Sequence, residues 1–328
     1  MKVKIKILII RFSSIGDIVL TTPIVRCLKN KEDAEVEIHY LTKKQYESIL
    51  SSNPYISKVD TIEKSTAEVI EELKKEQYDY IVDLHKNIRS SQVKRKLKLV
   101  DFTYNKRNVE KWLLVNFGIN KLPDNHIVDR YFEAIQPLDV TNDNKGLDFF
   151  IPKEDELELS QFGVNEKYIA ITVGAKQTGK KISPKQWIEI LEKIEMKAVL
   201  LGGNEDSEAA KQIEEKLGSR VINLCGKLNL NQSASVIQQS ELVICHDTGL
   251  MHIASAFKKK IISVWCCTRP VLGMYPYQPH PDSVMILPED VKPQPCSKLG
   301  DKCKNNPSCS ERISTQEVVN SVNRLLSK

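Results

Sequence analysis

Residues 5–10 of the chain are apolar apart from Lys6, and a short run of this kind reads as a buried β-strand. A polar turn follows, Ser13-Ser14-Ile15-Gly16-Asp17, and then an apolar-periodic stretch predicts a helix over 18–28, bent early by Pro23. Further strands are predicted at 36–40 and 80–84, with helices at 45–50 and 66–76. Strands alternating with helices predict a parallel sheet with crossover helices. Residues 87–135 are basic and mixed and predict a helix only over 109–117, and 137–152, rich in Asp and Asn, reads as the start of a linker.

A second series opens at Tyr168. Strands are predicted at 169–173, 198–201, 221–224, 242–245 and 261–265, with helices at 184–195, 207–217, 230–239 and 251–257. Pro184 suits the first turn of its helix. A last amphipathic helix is predicted over 315–326. The two halves share no sequence repeat, only the rhythm of strand, glycine-bearing turn and helix.

With 328 residues and 41% hydrophobic content, the chain can build a sizeable core and more than one domain. The expected division is 1–150, 151–312 and a terminal segment 313–328 docking on one of the lobes. The net charge of +5 is a mild bias, suited to an anionic small molecule or an acidic membrane surface. No zinc-finger spacing and no basic-aromatic interleaving point to nucleic acid. The first apolar run is short and meets Arg11 almost at once, and no later stretch has transmembrane length, so a cytosolic protein is expected, as a monomer.

Five cysteines, Cys27, Cys225, Cys245, Cys266 and Cys267, sit in or beside apolar runs and read as buried free thiols. Cys296, Cys303 and Cys309 fall in a Pro- and Lys-rich stretch. Their spacing matches no standard zinc pattern, so they are read as reducible loop thiols, with no metal expected.

The candidate chemistry lies on strand-to-helix turns, where open α/β sheets bind ligands. In the first turn, Gly16 permits close backbone approach, and Asp17 reads either as a helix cap or as a carboxylate base. The turn has neither the three-glycine dinucleotide fingerprint nor a P-loop ending, which weakens NAD and ATPase readings. His85, Lys86 and Arg89 stand at the end of the 80–84 strand, where they could meet an acidic acceptor, whereas Lys94, Arg95, Lys96 and Lys98 read as a solvated helix face. In the second half, His246-Asp247-Thr248-Gly249-Leu250-Met251-His252 follows a strand and opens a helix, a plausible diphosphate seat. His252 reads either as an ordinary buried or surface histidine or as a donor to a phosphate or sugar oxygen. The basic loop GAKQTGKK, holding Lys176, Thr178, Lys180 and Lys181, suggests a phosphate clamp on the same sheet edge. After the next strand, Gly202-Gly203-Asn204-Glu205-Asp206 offers a carboxylate for ribose hydroxyls, or a cap at Asp206.

Taken together, RFSSIGDIVLTTPIVRCLK, GAKQTGKKISPKQW, LLGGNED and CHDTGLMHIASAF, in that order, resemble glycosyltransferase family 9, which includes the bacterial lipopolysaccharide heptosyltransferases. The resemblance covers nearly the whole chain. It implies two facing Rossmann-like domains of GT-B type with an interdomain cleft, and inverting transfer from a nucleotide sugar such as ADP-heptose. The acceptor it implies is a lipopolysaccharide core or other lipid-linked molecule at the cytoplasmic face of the inner membrane, with peripheral membrane contact and neither metal nor cofactor. By the same resemblance Asp17 is the catalytic base, with Ser14, Gly16, His85, Lys86 and Arg89 on the acceptor side. Asp247, Thr248, Gly249 and His252 surround diphosphate and sugar. Lys181 binds phosphate, with Lys180 as rival and Thr178 beside them; Glu205 holds the ribose, with Asp206 as rival. The tryptophan of the family's K-R-W-P element is absent, with Ile182 and Ser183 in its place. The usual F-G-x-T-x-P is replaced by Val264-Trp265-Cys266-Cys267-Thr268-Arg269-Pro270. Two other readings remain: a nucleotide-sugar epimerase or hydrolase of similar two-lobed fold, and a non-catalytic nucleotide-sugar or glycan-binding protein.

Overall fold

The computed structural model describes residues 2–327. They form two compact units, one from residues 2–106 and 125–150, the other from 107–124 and 151–327. The expected break after residue 150 therefore leaves out one excursion: residues 107–124 pack with the second unit, not the first.

The first unit is a five-stranded parallel sheet of β1 (Val3–Ile10), β2 (Ala34–Lys43), β3 (Lys58–Ile62), β4 (Tyr80–Asp83) and β5 (Val100–Thr103), in the order β3-β2-β1-β4-β5. Its helices are α1 (Ile15–Val19), α2 (Thr22–Lys29), α3 (Ile70–Lys75), α4 (Ile88–Leu97) and α6 (Ile127–Ile135), while α5 (Asn108–Phe117) lies in the 107–124 excursion. The single bent helix expected over 18–28 is two helices. Pro23 cannot donate a hydrogen bond, which suits the first turn of α2 and not a helix interior. The returning segment is tied down by Arg26, whose Nε and Nη2 each donate to Asp143 at 2.8 Å. Arg26 also donates to Asp148.

The second unit is a six-stranded parallel sheet of β6 (Tyr168–Thr172), β7 (Lys197–Leu201), β8 (Val221–Asn223), β9 (Leu242–His246), β10 (Lys260–Val264) and β11 (Val284–Ile286), in the order β11-β10-β9-β6-β7-β8. Successive side chains of a strand face opposite ways, so this sheet has two cores. Ile169 and Ile171 pack on one face with α7 (Pro184–Glu192), α8 (Ser207–Leu217) and α11 (Thr315–Leu326). Tyr168 and Ala170 pack on the other with α9 (Leu230–Gln239) and α10 (Gly249–Ala256). Burial on both faces explains the near-continuous apolar strands. The terminal helix α11 buries Val318, Val319, Val322 and Leu325 in this unit. No described helix is long and apolar enough to cross a membrane.

Candidate active site

In a doubly wound sheet, ligands bind beyond the carboxyl ends of the strands, where the strand order reverses. The first sheet reverses between β1 and β4, and the second between β6 and β9. Most of the site residues expected from sequence fall on the four turns that follow these strands.

The turn after β1 carries Asp17 in the first turn of α1. Its Oδ2 accepts hydrogen bonds from Ser14 N (3.1 Å) and Ser14 Oγ (2.7 Å), so Ser14 is the N-cap and Asp17, three residues on, reaches back to it in a capping box instead of capping the helix itself. Its Oδ1 lies 2.6 Å from Nη2 of Arg11, a buried cation. Burial alone would lower the Arg11 pKa, but Asp17 and then Tyr131 overcome it and raise the value. Arg11 also donates to the carbonyl of Leu84 and, at 3.0 Å, to Tyr131 Oη. The guanidinium thus joins the ends of β1 and β4 and orients Asp17, whose side chain keeps 20% exposure. Ser14 is exposed and Gly16 is buried.

The turn after β4 is drawn tight by the buried Asp83, whose Oδ1 accepts from His85 N (2.9 Å) and Lys86 N (2.7 Å). His85 packs edge-on against Phe12 at 5.3 Å. Burial, then the nearby Arg11 cation, lower its pKa from 6.5 to about 4, so the imidazole is neutral at pH 7. Its Nδ1 is buried without a hydrogen-bond partner among the described residues. Lys86 and Arg89 point to solvent.

In the second unit Lys180 and Asp247 meet across the switch point. Lys180 Nζ lies 2.7 Å from Asp247 Oδ2 and donates to its carbonyl oxygen at 3.2 Å. Asp247 immediately precedes α10, whose N-cap Thr248 makes no side-chain capping bond, unlike Ser183 before α7 and Asn229 before α9. Thr248 Oγ1 is buried without a partner among the described residues. An uncapped helix start offers N–H donors and the positive end of the helix dipole, the requirements of an anion seat, and the Lys180 ammonium, paired with Asp247, lies beside it. Gly249 is its first residue, and His252 is only 2% exposed, inside the unit.

Lys181 is placed differently from its neighbour. Its Nζ lies 2.8 Å from Oδ1 of Asp206, which is 4% exposed and whose Oδ2 accepts from Gly203 N at 3.2 Å. A Cβ on Gly174 would lie 1.7 Å from Asp206 Oδ2, so glycine is required there for the carboxylate to fit. Asp206 is thus occupied within the unit, while Glu205, Thr178 and Lys176 are exposed.

Two residues with positioning roles escaped the sequence reading. Arg11 was read only as a charge ending an apolar run. His246, quoted within a motif, accepts from Ile182 N through Nε2 at 3.2 Å and stacks edge-on with Trp187 at 5.5 Å, joining the lysine loop to β9. Burial lowers its pKa from 6.5 to about 4.

Two units, each built on a doubly wound parallel sheet, are the architecture of glycosyltransferases of GT-B type. The chain belongs to glycosyltransferase family 9 (heptosyltransferase), whose sequence model matches residues 66–306. It is similar to a lipopolysaccharide heptosyltransferase 1 of Campylobacter coli, 28% identical over 80% of this chain and 84% of the relative. It is also similar to lipopolysaccharide heptosyltransferase 3 of Escherichia coli K12, 25% identical over 77% of this chain and 80% of that protein. Among solved structures, a family 9 glycosyltransferase of Veillonella parvula has a TM-score of 0.82 at 21% identity, covering 99% of this chain and 98% of that one. The E. coli ADP-heptose heptosyltransferase II has a TM-score of 0.75 at 19% identity, covering 98% of both chains.

Proposed function

We propose that this enzyme transfers a heptose from ADP-heptose to a hydroxyl of a lipopolysaccharide-core acceptor, with inversion at the anomeric carbon. The observation that carries the proposal is the uncapped start of α10 beside Lys180, an anion seat at the switch point of a family 9 fold. The names of the curated relatives support heptose and the lipopolysaccharide acceptor. The solved relative named for ADP-heptose supports the nucleotide.

In this reading Asp17 takes the proton from the acceptor hydroxyl as its oxygen bonds to the anomeric carbon and the bond to the diphosphate breaks. ADP leaves with the bonding electrons. Its growing charge is met by Lys180 and the backbone N–H groups at the start of α10, placed before the reaction begins. Lys180 is the first choice for the phosphate because its ammonium already sits at that helix start. Lys181 acts through Asp206, which shapes the adjoining turn. Glu205 takes the ribose, since Asp206 is occupied. Neutral His85 and exposed Lys86 and Arg89 are the acceptor-side groups, and an acceptor of this class places the enzyme, as a monomer, at the cytoplasmic face of the membrane that holds it.

The test is a mass-spectrometric transfer assay with a panel of sugar nucleotides and lipid-oligosaccharide extract. A heptose added to the acceptor only from ADP-heptose is the expected result. Release of free sugar without acceptor would replace transfer with hydrolysis, and donor binding without turnover against any acceptor would leave a binding protein.

A further inference from the structure

Cys267, Cys296, Cys303 and Cys309 come together in the second unit, with all four sulfurs within 4.8 Å of one another. Cys267 follows β10; the other three lie on the long segment between β11 and α11. Three of the four are buried, and Cys303 is exposed. The sequence reading separated Cys267 from the others because it sits in an apolar run. With only three thiols, spaced by six and then five residues, no metal pattern was visible.

We propose that these four thiolates bind one tetrahedral, thiophilic metal ion, zinc or iron. A tetrahedral site with metal–sulfur bonds of about 2.3 Å places its sulfurs ~3.8 Å apart, within the spread of this cluster. Cys296 Sγ and Cys309 Sγ are already 3.5 Å apart. Four sulfurs and no imidazole or carboxylate select zinc or iron over calcium or magnesium.

Hydrogen-bond donors already face the sulfurs. Asn305 Nδ2 donates to Cys309 Sγ at 3.0 Å and to Cys296 Sγ at 3.4 Å, while Cys309 N donates to Cys303 Sγ at 3.3 Å. Arg269 donates to Cys309 Sγ at 3.8 Å. It is 3% exposed and makes no ion pair with a carboxylate among the described residues. A divalent ion on four thiolates carries a net charge of about −2, which supplies the counter-charge this buried cation lacks; the thiol protons leave to solvent. N–H groups that donate to ligating sulfurs orient and tune such a site.

The cluster also braces the lysine loop. Cys267 N donates to Gly179 O at 2.9 Å. A Cβ on Gly179 would lie 2.5 Å from the Gly300 carbonyl, and a Cβ on Gly300 would lie 2.6 Å from Lys180 Cγ. The ion would thus hold the cysteine segment against the loop that carries Lys180. This consequence rests on the donor-site reading; the presence of the ion does not, so the two can fail separately.

The test is elemental analysis of the full chain, purified anaerobically with zinc and iron available. About one ion per chain is expected. Cys303→Ser and Cys309→Ser lose it, and Cys225→Ser, outside the cluster, retains it. Cobalt loaded into the wild-type chain gives the thiolate charge-transfer and ligand-field bands of tetrahedral sulfur coordination, absent in Cys303→Ser. If the serine variants fail to fold, Asn305→Ala keeps all four ligands and is expected to bind metal ~10–100-fold more weakly. A reduced chain that takes up no ion on reconstitution would overturn the proposal. So would a folded Cys303→Ser chain with wild-type metal content, or a Cys296–Cys309 disulfide in the freshly isolated protein.

Discussion

Arg11 and Asp17 are six positions apart, yet their side chains meet at 2.6 Å, with the guanidinium buried and the carboxylate partly exposed. This pairing fixes the direction of Asp17 at the end of β1. Arg11→Gln keeps a donor but loses the charged fork, and is expected to lower kcat by roughly 10–100-fold through misplacement of the carboxylate, with the KM for the donor nearly unchanged. Steady-state kinetics on a folded variant check this, and an unchanged kcat would remove Arg11 from any positioning role.

Lys180 and Lys181 are neighbours with different partners, Asp247 and Asp206. Loss of a charge-assisted phosphate contact costs about 1.5–3 kcal/mol, or ~10–100-fold in affinity. Lys180→Ala is therefore expected to weaken ADP binding by that factor, and Lys181→Ala by less. Titration calorimetry with ADP decides between them; the reverse order would return the phosphate to Lys181.

Gly174 gives way to the Asp206 carboxylate. Gly174→Ala places a methyl group 1.7 Å from Oδ2, so Asp206 must move and leave Lys181 and Gly203 N. Overpacking of this kind costs roughly 1–3 kcal/mol. Thermal unfolding is expected to show the loss, which Asp206→Ala, by making room, partly relieves in the double variant.

His246 gives stability a definite pH dependence. Burial lowers its folded pKa from 6.5 to about 4. In the unfolded chain the ring takes up a proton below about pH 6.5, while the folded chain resists until about pH 4. The unfolded state therefore binds more protons in this window. The contribution is fully present above pH 6.5 and is lost as the pH falls to about 4, to a total of roughly 3 kcal/mol. His85 acts with the same sign in the first unit. Urea unfolding across this range is expected to show the decline, and His246→Asn to flatten it.

The second unit was largely legible from sequence because its central strands are buried on both faces and its helices carry clear apolar stripes. Helices 207–217, 230–239 and 315–326 were expected at the bounds observed. In the first unit β3 and β5 were missed, since both are short, half-polar edge strands. Helix α4 was legible only as a basic, solvated helix face without bounds, because it buries only Ser90 and Val93, too little for a stripe. Helix α6 was legible in principle, as Ile127, Val128, Tyr131, Phe132 and Ile135 repeat at helical spacing.

The turns that carry the candidate site were visible as small and charged residues after apolar runs. Their partners were not. Arg11 with Leu84 and Tyr131, Lys180 with Asp247, and Cys267 with Cys296, Cys303 and Cys309 are brought together by strand order, which adjacent sequence does not encode. That is why adjacent sequence leaves Lys180 and Lys181 as rivals, and why Cys267 reads apart from the other three thiols.

The central claim is that Asp17 is the base of a heptosyl transfer, and the most direct measurement is turnover of Asp17→Asn with ADP-heptose and a lipopolysaccharide-core acceptor, alongside donor titration. The amide keeps a hydrogen-bonding group of nearly the same shape but cannot take the proton. Turnover is expected to fall by about 10²–10⁴-fold with donor affinity nearly unchanged. Near-normal turnover in a folded Asp17→Asn enzyme would contradict the account.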